Sequence, residues 1–137
     1  PADPLEPAGK PDLVKLQQDA AAALDSMGVC VLSLMGMWVN NLVPVFKAVT
    51  GVQATLEDLL AAGERVWNLE RLFNLRAGLD GSADSLPARM LSEPLGAGPA
   101  KGRVCQLPRM LPEHYQLRRW DAAGVPTAQT LARLGLG

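Results

Sequence analysis

The segment from Thr55 to about Arg76 narrows the fold more than any other feature. Thr55 followed by Asp58 looks like a capping box, with Asp in the place usually held by Glu. Beyond it, Leu59, Gly63, Val66, Trp67 and Phe73 fall on one helical face, and Ala62, Leu69 and Leu72 on another. A helix of this kind is expected to be covered on two sides, and its length is roughly 30 Å. Gly63, near its middle, marks either a close crossing or a break into two helices.

Other helices follow from caps and period. Asp12 is expected to cap a helix over about Leu13 to Met27, with Leu13, Gln17, Ala20, Leu24 and Met27 as its inner stripe. Gly28 stands where a left-handed C-cap belongs. Val29 to Trp38 is apolar without a clear period and reads as a short helix rather than a strand. Pro44 permits a helix starting near Leu42 and ending before Thr50-Gly51. Ala77 to about Leu107 carries Gly, Pro and Ser at short intervals and is expected to be a long irregular stretch. Leu111 to Trp120 reads as a helix opened by Pro112, and Pro126-Thr127 starts a last one through Leu134, stopped by Gly135. No alternating pattern stands out, so the expected class is all-α, several packed helices with a long irregular loop region. Residues 1–11, with four prolines, read as an extended linker or the edge of something upstream. Residues 12–137 read as one α-helical domain, and the start at Pro1 suggests a piece of a longer protein.

A net charge of -1 offers no basic field for nucleic acid or an anionic membrane. The longest apolar run, Val29 to Val39, is interrupted by Ser33 and Gly36 and is too short to span a bilayer. Two distant cysteines, Cys30 and Cys105, suit a reducing cytoplasm better than a secreted disulfide framework.

The turn Asp25-Ser26-Met27-Gly28-Val29-Cys30 carries the strongest chemical signal. A helix C-terminus has partial negative charge, so an acid there is misplaced unless donors or a cation meet it. A soft metal ligand, Cys30, follows closely. Taken alone, the same residues also describe a helix C-cap with a buried structural cysteine. Cys105 reads as a plain buried or loop cysteine. Glu70 and Asn74 are expected to tie down a loop, with Arg76 or Arg89 as counter-charge. His114, the sole histidine, reads as a surface residue. Gly96 to Gly102 lacks the ending of a phosphate loop, and Asp80 and Asp84 do not complete a calcium loop.

Several ordered segments resemble the tungsten-dependent aldehyde ferredoxin oxidoreductases. They are Gly63-Glu64-Arg65-Val66-Trp67-Asn68-Leu69-Glu70-Arg71-Leu72-Phe73-Asn74-Leu75-Arg76-Ala77-Gly78, Asp84 to Arg89, Pro94 to Gly102, and Trp120 to Thr127 with Leu134-Gly135-Leu136. The resemblance runs from Gly9 onward and corresponds to the C-terminal portion of a larger multidomain enzyme. The family's pterin signature, Asp-x-x-Gly-Leu followed by Cys or Asp, is matched by Asp25, Gly28 and Cys30, with Val29 where Leu is usual.

The resemblance implies a tungsten ion held by two pterins (a tungstopterin of the molybdopterin type) beside a [4Fe–4S] cluster. It assigns Asp25, Gly28, Val29 and Cys30 to cofactor binding and makes Cys30 the one metal ligand, to iron. It places no catalytic residue here. The remaining cluster cysteines and the substrate site would lie upstream in the same enzyme. The implied reaction is oxidation of aldehydes to carboxylic acids, with electrons passed to ferredoxin or an electron-transfer subunit. Alternatives are a family member reducing an aromatic acyl-CoA, or a non-catalytic helical interaction module. A homo-oligomer is left open.

Overall fold

Thr55 opens the central helix as a reciprocal cap. In the computed structural model its hydroxyl accepts from the Asp58 N–H at 3.1 Å, and the Asp58 carboxylate accepts from the Thr55 N–H at 2.8 Å. The structure describes Asp3 and residues 5–137. Six helices follow in order: α1 (Lys10–Ser26), α2 (Leu42–Thr50), α3 (Leu56–Arg76), α4 (Ala88–Ser92), α5 (Leu107–Arg118) and α6 (Ala128–Leu134). Among the described residues the only strand-like pairing is an isolated bridge between Trp120 and Pro126. The all-α class with a long irregular region is therefore what the chain adopts. No helix of the described residues is long and apolar enough to cross a membrane.

The helix α1 lies between α3 and α5. It meets α3 at Gly63, where a Cβ would stand 1.9 Å from the Asp19 carbonyl oxygen. Gly63 is thus a close crossing, and α3 continues unbroken through it. Below the crossing, Ala23, Leu24, Leu42, Ala54 and Leu59 form a small apolar core, joined by Met27, Val29, Leu34, Val39, Val43 and Phe46.

Above the crossing the interior is polar. Arg118, 0% exposed, donates from Nη1 to Asp19 Oδ1 at 2.6 Å and from Nη2 to Gln18 Oε1 at 2.8 Å. Its guanidinium lies 5.5 Å from the centre of the Trp67 ring. Lys15 reaches the other Asp19 oxygen at 2.8 Å. The buried carboxylate is therefore met by two cations, as burial of a charge requires.

Several expectations are corrected. The helix α1 starts at Lys10 after Gly9, whose φ is 74°, and Asp12 lies in its first turn instead of capping it. Pro11 is buried within that turn. The expected extended segment 1–11 also includes residues 1, 2 and 4, which lie outside the described residues. Leu13 and Gln17 are exposed, and Asp19 takes the inner position beside Ala20. On α3 the buried set is Leu59, Gly63, Glu64, Asn68 and Arg71, while Leu69 is exposed and Phe73 is 72% exposed. The period was right, but the inward stripe is rotated because polar residues with partners occupy it. Val29 to Trp38 does hold a short helix, as expected, and it is of the 3₁₀ type over Val31–Met35. The helix α5 begins at Leu107, because Pro108 serves its first turn, where a missing N–H costs nothing, and Pro112 is carried inside it.

The α1–α3 crossing sets a direct test. Gly63→Ala forces the helices apart, with an expected loss of about 1–3 kcal/mol or more of overpacking strain. Chemical denaturation would read this as a lower midpoint at unchanged slope. Equal stability of the two proteins would show that the helices separate freely.

Candidate functional site

The turn after α1 is a Schellman cap. The Gly28 N–H donates to the Asp25 carbonyl at 3.0 Å and the Val29 N–H to the Leu24 carbonyl at 3.1 Å. Gly28 has φ 71°, and nothing lies within 4 Å of where its Cβ would be. Val29 and Leu24 both pack into the apolar core, which is the hydrophobic contact that accompanies this motif. Val29 thus pins the turn through its side chain.

The turn's polar groups face outward. The Asp25 carboxylate is exposed and has no hydrogen-bond partner among the described residues. No basic residue stands in the last turn of α1 to offset it. It lines an open depression of about 320 Å³ between α1 and α3, together with Gln18, Ser26, Trp67 and Glu70. Cys30 precedes the 3₁₀ turn, whose Ser33 N–H donates to the Cys30 carbonyl at 2.9 Å, and its thiol is free and exposed. A buried structural cysteine is therefore not what the fold holds. The structure brings Asp25, Gly28, Val29 and Cys30 into one cap: one apolar anchor, one open glycine and two unsatisfied outward groups. No group of three or more His, Cys, Asp or Glu residues is placed to hold a metal among the described residues.

This donor set fits the implied groups in part. An exposed carboxylate without partners can accept two donors from the edge of a flat heterocycle. The open side of Gly28 leaves room for such a ring. One exposed thiol offers at most one of the four thiolates that such a cluster takes.

A second concavity, of about 510 Å³, lies on the other side of Trp67 and Glu70 and is walled by α1, α3, α5 and the loop around Asp84. Arg71 anchors that loop. Its Nη1 donates to Asp84 Oδ1 at 3.0 Å, its Nη2 stands 2.7 Å from Oδ2, and its Nε donates to the Gly124 carbonyl at 2.7 Å. The Tyr115 hydroxyl also donates to Asp84. The Trp120 indole N–H donates to Asn68 Oδ1 at 2.8 Å, and Arg71 lies 5.0 Å from the Trp120 ring centre. Arg119, at φ 55°, turns the chain at the end of α5, and its carbonyl is held by the hydroxyls of Thr127 and Thr130.

His114 lines this cavity, half-buried and edge-on to Trp120, so it is not a plain surface residue. Burial pushes its pKa down, and the nearby Arg118 adds to this, while a hydrogen bond to the Pro11 backbone opposes it. Glu70 is exposed and makes no ion pair with Arg76 or Arg89 among the described residues. The loop is tied down by Arg71 and Asp84 instead.

Sequence reasoning missed Asp19, Asn68, Arg71, Asp84, Tyr115 and Arg118. One signal was present: Glu64, Asn68 and Arg71 recur at helical spacing beside Leu59 and Gly63. The family profile described as aldehyde ferredoxin oxidoreductase, domains 2 and 3, matches residues 1–136. This chain belongs to the aldehyde ferredoxin oxidoreductase family.

Its relatives point the same way. The tungsten-containing aldehyde ferredoxin oxidoreductase of Pyrococcus horikoshii is 42% identical over 128 residues, covering 93% of this chain and 21% of the relative. That of Pyrococcus furiosus is 43% identical over 122 residues, 88% of this chain and 20% of the relative. That of Thermococcus kodakarensis is 41% identical over 128 residues. The chain thus spans about a fifth of the length of the curated relatives it matches.

Burial and the bond to Asp84 push the Tyr115 pKa from 10.0 up to about 12. Folding raises this pKa, so the associated stability is complete below the unfolded value. It is lost as pH rises from 10.0 towards about 12. Tyr115 is the only tyrosine in the chain, so a tyrosinate absorbance titration reads it alone. An ordinary midpoint in the folded protein would mean that the Asp84 contact does not persist in solution.

Proposed function

We propose that this chain is the C-terminal part of a tungstopterin and iron–sulfur oxidoreductase that oxidises aldehydes to carboxylic acids. An aldehyde and a water would give the acid, two protons and two electrons. The electrons would leave for ferredoxin or an electron-transfer subunit, in the cytoplasm. The observation that carries this reading is the cap at the end of α1. In a member of this family, it presents an unpartnered Asp25 carboxylate and an exposed Cys30 thiol, which flank an open Gly28 in the chain.

Asp25 accepts from the amino group and ring N–H of a pterin, which relieves the unfavourable position of an acid at a helix C-terminus. Gly28 leaves the ring a close approach to the backbone. Val29 holds the turn to the core. Cys30 ligates the cluster as one of four thiolates, the others lying in the part of the enzyme upstream. When bound, the tungstopterin supplies the two-electron chemistry and the cluster the path for electrons out. The substrate site is also upstream, and this chain contributes no catalytic residue.

Two substitutions in the full-length protein separate the roles. Asp25→Ala removes charge-assisted hydrogen bonds of about 1.5–3 kcal/mol, so pterin and tungsten content should fall together by about tenfold or more. Cys30→Ala should lose iron and the cluster's EPR signal. Full tungsten loading in the first variant, or an unchanged cluster spectrum in the second, would defeat the corresponding assignment. A native protein purified anaerobically without iron or tungsten would instead mark a non-catalytic helical module.

A further inference from the structure

The stretch that follows Cys30 is built unlike the surface of a free domain. Between Val29 and Ala54, Lys47 is the only charged residue, whereas charged residues make up 20% of the whole chain. The inner residues of this stretch, Leu34, Val39, Leu42, Val43 and Phe46, converge on the apolar core. Beside a few exposed polar residues such as Asn40 and Gln53, its outer surface is largely apolar. Met35 is 87% exposed, Trp38 80% and Val49 81%, and Leu32, Val45 and Val52 are exposed beside them.

On α2, Val45 and Val49 lie one turn apart and stay exposed, although Leu42, Val43 and Phe46 of the same helix reach the core. A helix that is apolar all round belongs in an interior. A contiguous exposed patch of large apolar side chains marks an interaction surface.

We propose that this face, from Leu32 to Val52, is covered by the upstream part of the same polypeptide. The chain spans 21% of its Pyrococcus horikoshii relative, so most of such a polypeptide lies outside it. The face also runs directly into Cys30, whose thiol is exposed and which supplies only one ligand. A cover seated on Met35, Trp38 and Val49 would adjoin that thiol and bring the remaining ligands to it. This last consequence rests on the tungstopterin reading. The covered face itself rests on exposure, composition and length.

A charged solvent-facing partner is a poor match, because the face offers almost nothing to pair with it. A second copy of the chain would satisfy the apolar area but would leave the Cys30 corner with two thiols at most.

Hydroxyl-radical footprinting of the full-length protein tests the proposal without altering the face, since Met and Trp oxidise readily. Met35 and Trp38 should be oxidised at least about tenfold more slowly in the folded protein than in the denatured one, the margin expected where access requires opening. The protection should be independent of protein concentration. Oxidation near the denatured rate in a folded full-length protein would overturn the proposal. So would protection that disappears as the protein is diluted to monomers, which would identify a second copy as the cover. The same measurement on the Cys30→Ala variant keeps the two readings apart. Protection with an intact cluster would sink only the ligand assignment, whereas exposure with a lost cluster in a folded protein would sink this one.

Discussion

The fold depends on the contact of α1 with α3 at Gly63. Because Gly63 has no side chain, the backbone of α1 at Asp19 comes almost directly against α3. That approach sends the Asp19 carboxylate inward, where only a cation with well-placed donors can stabilise it. Arg118 meets it from α5, and Gln18 and the Trp67 ring hold the guanidinium in turn. Removing one member of such a pair costs about 3–5 kcal/mol, because it leaves a bare buried charge. The pair thus fixes how α1 and α5 meet, and that cost reflects the stranded charge rather than the net strength of the pair.

The same crossing divides the molecule into two interiors. On one side lies an apolar core around Leu24, Leu42 and Leu59. On the other lies a polar network in which Asn68, Arg71 and Glu64 of α3 hold the C-terminal elements. Arg133 of α6 stands 2.7 Å from the Glu64 carboxylate, Trp120 donates to Asn68, and Arg71 holds Asp84 and Gly124. The irregular region between α3 and α5 is therefore anchored by directional bonds, which position loops that have no apolar face to bury.

The cap at the end of α1 sits on the apolar side and takes its rigidity from there. Val29 is packed beneath it, while Asp25 and Cys30 project from it. An acid at a helix C-terminus without a cation is a local cost of about 0.3–1 kcal/mol. Under the proposed function, donors from outside this chain would offset that cost.

Local chemistry made much of this legible in the amino-acid order. The cap at Thr55 and Asp58, the limits of α2, α3 and α6, the turn at Gly28 and the family motifs all depend on residues close in the chain. Short-range hydrogen bonds and φ preferences decide such features. The orientation of α3 was not legible in the same way, because Leu69 and Phe73 look like core residues while Asn68 and Arg71 look like surface ones. Which face turns inward is settled by partners distant in sequence: Asp84, Gly124 and Trp120 for one stripe, and the α1 backbone at Gly63 for the crossing itself. The pairing of Asp19 with Arg118, 99 residues apart, belongs to the same class. Burying a charge is favourable only when its counter-charge arrives in register, and that register exists only once the helices are assembled.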